Sequence, residues 1–436
     1  MFIEFHVGNF RSFRDIEKFS LRAAPLRAND SGLEEENVFE ANNFRLLKSK
    51  AIIGSNASGK SNLGEALSAF ALMVDRSVST EGLTKQIWDD RFKLISDWDN
   101  QPIFFQYIFL INKKIYRYGF QILDNVVSHE WLFAGEKGKE KEIFTRTSTG
   151  INIKSDLLKS VGLFVNNSIK KANELYRPDS LFLTSASLSG NIFASEIREA
   201  IRSLIIIDGA DDKNSVLFAM HILDNGTHTQ KETLKKFVLV ADTGIEDLEI
   251  REIESQRKSK EAKGEVLKSL YSKHKVYDDL GKVNGELLVS FAEWESDGTK
   301  KLFSVGSLIL QALFKGRTII IDEFDAKFHP NLTLKILELF HKKETNPLNA
   351  QLIFITHDAS LLRRGKLRRD QICMVNKDKY GISSTKTLIQ YKGVRKDTSI
   401  EKEYLAGSYD AVPYLDEIDA VIKHSKTKKN GLQKTK

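Results

Sequence analysis

Eight consecutive residues have the types and spacing of a phosphate-binding loop. Residues 54–61, Gly-Ser-Asn-Ala-Ser-Gly-Lys-Ser, fit the pattern G-x-x-x-x-G-K-[ST] without deviation. Glycines let a backbone bend around phosphate oxygens, and successive N–H groups supply positive potential there. We expect Lys60 to reach the β- and γ-phosphates and the Ser61 hydroxyl to bind Mg²⁺, which prefers oxygen ligands. The residues predicted to bind ATP here are Gly54, Asn56, Ala57, Ser58, Gly59, Lys60, Ser61 and Asn62.

A strand and a helix are predicted on the two sides of this loop. The apolar run Ala51-Ile52-Ile53 precedes it, and apolar residues at helical spacing follow over Ser61–Asp75. A strand–loop–helix context favours a phosphate loop over the alternative, a Gly/Ser turn that only caps a helix.

Two adjacent carboxylates follow a second apolar run, Thr318–Ile321. Ligands of parallel sheets bind beyond the carboxyl ends of the strands, which is where Asp322 and Glu323 stand. We expect Asp322 to hold Mg²⁺, directly or through water, and Glu323 to orient or deprotonate the attacking water. The alternative is a strand end that caps the next helix.

The motif ESDGTKK, residues 295–301, precedes a helix predicted over Thr299–Phe314. The Ser296 hydroxyl and the Gly298 N–H could bind a phosphate at the N-terminus of that helix. Taken alone, the motif predicts only a good helix cap.

His357 follows another strand-like run, Leu352–Thr356. An imidazole at the end of this strand could hydrogen-bond both the γ-phosphate and the attacking water. His357 is therefore a candidate sensor of the γ-phosphate.

The predicted fold class is α/β, with a parallel core sheet, an antiparallel β subdomain and a helical insertion. We expect an N-terminal lobe at 1–150, a mostly helical lobe with a charged projection at 151–285, a C-terminal lobe at 286–422 and a basic tail at 423–436. Within the second lobe we predict strands at Ser203–Ile207 and near Phe237–Val240. The charged run Ser255–Lys282 is predicted to form a solvated helix or a hairpin.

Composition limits the class of protein. The chain has 436 residues, of which 41% are hydrophobic and 29% charged, so it is not collagen-like, disulfide-dense or wholly disordered. Its longest mostly apolar stretch, Leu302–Phe314, is shorter than the ~20 residues that a membrane span needs. The single cysteine, Cys373, fits a reducing compartment and is expected in the core. We therefore expect a cytoplasmic protein with no membrane partner.

In their order along the chain, these motifs resemble those of the ABC-type ATPases. The ESDGTKK form of the signature differs from the glycine-glutamine form of transporter subunits. The chain is similar to the soluble branch of recombination and chromosome-maintenance ATPases and OLD-type proteins, above all to AAA-type ATPases of bacterial abortive-infection and phage-defence operons. The resemblance extends to NFRSF at 9–13, YRYGF at 116–120, EWL at 130–132, DEFD at 322–325, HP at 329–330, YLAG at 404–407 and VP at 412–413.

The resemblance implies a head-to-tail homodimer, or a higher oligomer built from it. Two ATP molecules would lie between Lys60 of one subunit and Ser296 of the other, and hydrolysis would loosen the dimer. Asp325 would contact the facing subunit, and Arg11 would lie near the nucleotide.

A glutamine that such ATPases place beside the nucleotide is not assigned by the sequence. Gln101 and Gln106 are the candidates.

Three functions remain open. In the first, the protein is an ATP-dependent sensor or scaffold that controls a separately encoded effector, a nuclease or toxin, because too few residues follow Asp370 for the nuclease domain of OLD-type relatives. The trigger would be DNA or a phage protein. In the second, the basic cluster Arg363–Arg369 and the lysine-rich tail bind DNA in a repair clamp. In the third, the protein binds ATP without hydrolysing it.

Overall fold

A computed structural model describes residues 1–25, 31–98, 100–136, 139–158, 177–209, 213–241, 244–254, 266–362, 366–391 and 399–409. Several predicted features lie outside these residues. They are residues 255–265 of the charged run, residues 363–365 of the basic cluster, Val412-Pro413 and the basic tail at 423–436.

The strands are numbered in chain order. They are β1 Phe2–Gly8, β2 Glu17–Ser20, β3 Val38–Ala41, β4 Phe44–Leu47, β5 Ser49–Ile53, β6 Ile103–Ile111, β7 Lys114–Leu123, β8 Val126–Glu136, β9 Lys139–Thr147, β10 Gly150–Ile153, β11 Ile205–Asp208, β12 Asp247–Glu254, β13 Val266–Tyr277, β14 Val283–Ser290, β15 Thr318–Asp322, β16 Gln351–Ile355, β17 Ile372–Lys377 and β18 Ser383–Thr387.

The α-helices are numbered in the same way. They are α1 Ser31–Asn37, α2 Lys60–Arg76, α3 Leu83–Asp89, α4 Phe182–Leu188, α5 Ile192–Arg202, α6 Lys213–Asn225, α7 His228–Leu239, α8 Phe291–Trp294, α9 Asp297–Lys315, α10 Pro330–His341 and α11 Ile400–Leu405.

The core sheet has the strand order β11-β15-β16-β5-β17-β18. Its first five strands are parallel, and β18 is antiparallel to β17. The apolar residues of β15 and β16 are buried, as expected when helices cover both faces of a parallel sheet. In the register of these strands, Ile321 is opposite Phe354, and Ile355 is opposite Ile52. The strands β15, β16 and β5 therefore end level with one another, and the predicted parallel sheet is confirmed.

A second, antiparallel sheet has the order β10-β9-β8-β7-β6-β1-β2. The predicted antiparallel β subdomain is confirmed by strands β6 to β9, in which each strand pairs with the next. Phe70 of α2 packs against this sheet, with its ring centroid 5.5 Å from Phe120 and 5.6 Å from Phe5. The helix after the predicted phosphate loop is therefore anchored by aromatic contacts to the antiparallel sheet.

Two local predictions in the middle of the chain need correction. No strand forms near Phe237, which belongs to α7, where Leu234 and Val238 are buried at helical spacing. A capping box of Thr227 and Gln230 begins this helix and outweighs the strand preference of the short run FVLV. Where the charged run is described, the helix alternative is also wrong, because β13 pairs with β12 and β14 in a three-stranded antiparallel sheet.

Cys373 is buried in β17, as expected of a core residue, and burial raises the pKa of its thiol to about 11.

Among the helices that the structure describes, none has both the length and the apolar character required to cross a membrane.

Candidate active site

The predicted phosphate loop connects β5 directly to α2. Gly59, just before the helix, has a φ of +101°, and Ala57 has a φ of +62°. A Cβ at position 59 would lie 2.6 Å from Ser12 Oγ and would also collide with Ser383 Oγ. Both the backbone conformation and the space at this position therefore require glycine.

Two distant segments hold the outside of this loop. Ser383 Oγ lies 2.6 Å from the Ser58 carbonyl oxygen and 2.8 Å from Ser12 Oγ. The side-chain amide of Asn62 donates to Ser12 Oγ at 2.5 Å, and the Ser383 N–H donates to the Ser12 carbonyl at 2.7 Å. The loop after β1 and the first residue of β18 thus brace the phosphate loop, which the sequence motifs did not predict.

The Lys60 side chain lies within the loop that precedes it. Its ammonium donates to the carbonyls of Gly54 at 2.8 Å and Ser55 at 2.7 Å. Burial lowers the pKa of Lys60 to about 8, although the negative charges of Asp322 and Asp325 oppose this shift. Lys60 is thus buried in this structure within the electrostatic reach of both carboxylates.

The three neighbouring strands β15, β16 and β5 bring the other predicted residues to one edge of the core sheet. Asp322 ends β15, His357 follows β16, and Gly54 follows β5. Asp325 Oδ1 accepts a hydrogen bond from the His357 N–H at 3.2 Å, which links the loop after β15 to the loop after β16. Glu323 and His357 are both exposed at this edge.

A cleft of about 260 Å³ lies at the same edge. It is lined by Asn56, Ala57, Gly59, Lys60, Ser61, Asn62, His357 and Lys377. Lys377 is the one cleft residue that the motifs did not predict. It is exposed at the end of β17, next to β5, and the described residues form no ion pair with it. In the sequence, the one indication that Lys377 could belong to the site is its position after an apolar run. This indication is weak, because lysines at strand ends are common on protein surfaces.

The oxygen and nitrogen groups around the cleft fit a magnesium–nucleotide complex. The buried Ser58 hydroxyl has no hydrogen-bond partner among the described residues, and the Ser61 hydroxyl and the Asp322 carboxylate are hard oxygen ligands. Within the described residues, no cluster of three or more His, Cys, Asp or Glu residues could hold a metal without other ligands.

The two signature residues do not line this cleft. Ser296 is the N-cap of α9, and its hydroxyl accepts a hydrogen bond from the Thr299 N–H at 3.1 Å. Ser296 is exposed, and a Cβ at Gly298 would lie 2.8 Å from the Lys327 carbonyl oxygen. The helix-cap alternative is therefore observed for Ser296, and a role facing a second subunit stays a prediction.

Arg11 lies beside the phosphate-loop helix rather than in the cleft. Its guanidinium pairs with Glu65 of α2, and its Nε lies 3.5 Å from Asp90 Oδ1. These pairs involve Nη1 and Nε of the guanidinium, and a contact of Arg11 with the nucleotide stays a prediction.

The two candidate glutamines have different surroundings. The side-chain oxygen of Gln106 accepts hydrogen bonds from Arg117 and Trp131, both at 3.2 Å, within the antiparallel sheet. The Gln101 carbonyl accepts a hydrogen bond from the side chain of Asn9 at 2.5 Å. Neither glutamine lines the cleft.

The model of a family described as "AAA domain, putative AbiEii toxin, Type IV TA system" matches residues 51–363. A similar solved structure is the SMC head domain from Thermotoga maritima, with 13% identity and a TM-score of 0.40 over 88% of this chain and 98% of that chain. No curated protein matches the chain.

Proposed function

The chain belongs to the AAA-domain family of the putative AbiEii toxin type, and from this premise we propose that it is an ATP-hydrolysing subunit of a bacterial abortive-infection system. The main support is the arrangement of one sheet edge. The glycine loop, the carboxylate of Asp322 and the imidazole of His357 follow three adjacent parallel strands that end level. P-loop ATPases combine these kinds of group around a triphosphate.

In this proposal each side chain has one task. Protonated Lys60 leaves the loop carbonyls and binds the outer phosphates. Ser61 and Asp322 would hold Mg²⁺, whose charge would neutralise the phosphate oxygens. Glu323 accepts a proton from the attacking water, and His357 donates a hydrogen bond at the γ-phosphate.

We further propose that two copies form the complete site. Ser296 is exposed at the start of a 19-residue helix and is not among the residues that line its own cleft. The N-terminus of such a helix attracts phosphate, so a partner's nucleotide is a suitable ligand for Ser296 and Gly298. ATP would then join two subunits, and hydrolysis would separate them.

The biological role proposed for this switch is control of a separately encoded nuclease or toxin. The family description supports a toxin–antitoxin or defence setting. The DNA-clamp alternative has less support, because two of the basic residues in the described part of the cluster are paired with acids. Arg368 is fully buried against Asp370 at 2.8 Å, and Lys366 lies 2.7 Å from Glu338.

Hydrolysis is tested by measuring phosphate release and ATP affinity for the wild type, Glu323→Gln and Lys60→Ala. Glu323→Gln should lower kcat about 100-fold or more while ATP still binds, because only proton transfer is removed. Lys60→Ala should weaken ATP binding itself. Lys379→Ala, an exposed lysine outside the cleft, is the matched control. Unchanged phosphate release in Glu323→Gln would exclude Glu323 as the base.

Assembly is tested by the mass of the protein with and without ATP, using Glu323→Gln to preserve the nucleotide. We expect a dimer only with ATP, and its loss in Ser296→Arg. If the Ser296→Arg protein still dimerises with ATP, the proposal that two subunits share each nucleotide site is contradicted. Purification of the complex from the native operon should then recover the effector bound to the ATPase.

A further inference from the structure

Lys301 is a fully buried lysine in the second turn of α9. Its ammonium hydrogen-bonds the carbonyl oxygens of Glu323 at 3.0 Å, Phe324 at 3.3 Å and Ala326 at 2.5 Å. These carbonyls belong to the loop after β15, which carries the proposed catalytic base. A lysine inside the apolar face of a helix is uncommon, because burying its charge requires compensating polar contacts.

The loop that Lys301 binds has a constrained backbone. Glu323 has a φ of +47° and Lys327 a φ of +62°, and both lie in the left-handed region. For residues with a Cβ this region is unfavourable, because the Cβ comes too close to the following carbonyl oxygen. Such conformations persist only where neighbouring contacts enforce them. The three bonds from Lys301 are contacts of this kind.

A glycine packs against the same loop at the end of β11. The N–H of Gly209 donates to the Asp322 carbonyl at 2.8 Å. A Cβ at Gly209 would lie 2.6 Å from that oxygen, 2.8 Å from the Glu323 carbonyl oxygen and 3.0 Å from Lys301 Nζ. The carbonyls of Asp322 and Glu323 thus have almost no space to move on this side.

From this geometry we infer that Lys301 is a positioning residue, which holds the Glu323 backbone in the conformation that hydrolysis requires. The inference rests on the proposed function, because it assigns the base to Glu323. Lys301 does not touch the nucleotide; it acts through the carbonyls that it binds. Since Ser296 caps the N-terminus of α9, Lys301 also joins the helix that would meet a partner's nucleotide to the base of its own subunit. A shift of α9 during dimer closure would therefore move Glu323.

The test is Lys301→Met, which keeps most of the side-chain volume and removes the ammonium. We expect kcat to fall about tenfold or more, while the Kd for ATP stays within about threefold. In a Glu323→Gln background, Lys301→Met should cause no further loss of kcat, because both substitutions then act on one step. A purely structural role would instead weaken ATP binding or give additive losses. A kcat within about twofold of the wild type, or additive losses in the double variant, would overturn the inference.

Lys315→Met is the matched control, because Lys315 is an exposed lysine at the far end of the same helix. Its kcat and Kd should equal those of the wild type. If Lys301→Met fails to fold, Gly209→Ala decides the question, because its Cβ displaces the same carbonyls. It should lower kcat with little change in Kd, and an unchanged kcat would overturn the inference. A wild-type protein that does not hydrolyse ATP would instead contradict the proposed function.

Discussion

The ammonium of Lys60 lies 2.8 Å from the carbonyl oxygen of Gly54, six residues earlier in the same loop. This hydrogen bond and that to Ser55 partly replace the water that burial removes, yet the pKa of Lys60 is still lowered to about 8. Burial in the free loop therefore favours loss of the Lys60 proton relative to an exposed lysine. A bound triphosphate would reverse that tendency.

The first prediction concerns proton uptake by Lys60. Phosphates would raise the pKa of Lys60, so binding of ATP above pH 8 should take up a proton, and affinity should fall as the pH rises through about 8. Calorimetry at pH 8.5 in two buffers of different ionisation enthalpy measures the uptake. Lys60→Arg stays charged at this pH and should bind ATP without uptake from this position. Equal uptake in both proteins would assign the proton to another group.

The second prediction concerns Lys377, the exposed cleft lysine at the end of β17. Lys377→Ala should raise the Kd for ATP about three- to tenfold, because one cation near the phosphates is lost. The salt dependence of binding should also weaken. Lys379→Ala, two residues along the chain and outside the cleft, is the control. Equal Kd values for ATP in the two variants would show that Lys377 does not contribute to ATP binding.

The third prediction concerns steric bracing of the phosphate loop. Gly59→Ala should abolish most ATP binding, because its Cβ would collide with Ser12 and Ser383. Gly82→Ala is a matched control for backbone strain alone. Gly82 also has a positive φ before a helix, +72°, but a Cβ there would meet no atom within 4 Å. We expect Gly82→Ala to destabilise the fold by about 1–2 kcal/mol without changing the Kd for ATP. Similar Kd values for the two variants would contradict the bracing.

The fourth prediction compares how much a buried and a partly exposed ion pair contribute to the free energy of unfolding. Arg368 is fully buried between Asp370 and Glu34, at 2.8 Å from each. Arg368→Met should lower the free energy of unfolding by about 3–5 kcal/mol, because Asp370 would remain buried without its cation. Lys366→Met, which breaks a partly exposed pair with Glu338, should lower it by about 0–1 kcal/mol. Urea unfolding of both variants measures the difference, and equal losses would refute this distinction.

The sequence predicted the parts of the fold that depend on local pattern. The apolar runs before Gly54, Asp322 and His357 predicted buried parallel strands, and the structure places all three side by side. Their common edge follows from a general property of parallel sheets, so the meeting of these residues could be predicted as well. The run at Phe237–Val240 was misassigned because four residues are too few to separate a strand from a helix.

The roles of isolated charges could not be predicted, because their partners are distant in the chain. Arg368 lies in the basic cluster that was a candidate for DNA binding, but its side chain pairs with Glu34, 334 residues away. Lys301 belongs to the signature motif, but the motif does not predict its contacts with the loop after β15. Ser12 and Ser383, which meet beside the phosphate loop, are 371 residues apart. In each case tertiary structure, rather than spacing, determines the environment.

The level ends of β15, β16 and β5 limit how this chain can change in length. One residue removed from β16 would shift His357 by about 3.3 Å along the strand and turn the following side chains to the opposite face of the sheet. Insertions or deletions inside these three strands should therefore abolish ATPase activity even when every motif residue is kept. Loops that leave the opposite edge of the sheet carry no such restriction, and variation in length among related chains should accumulate there.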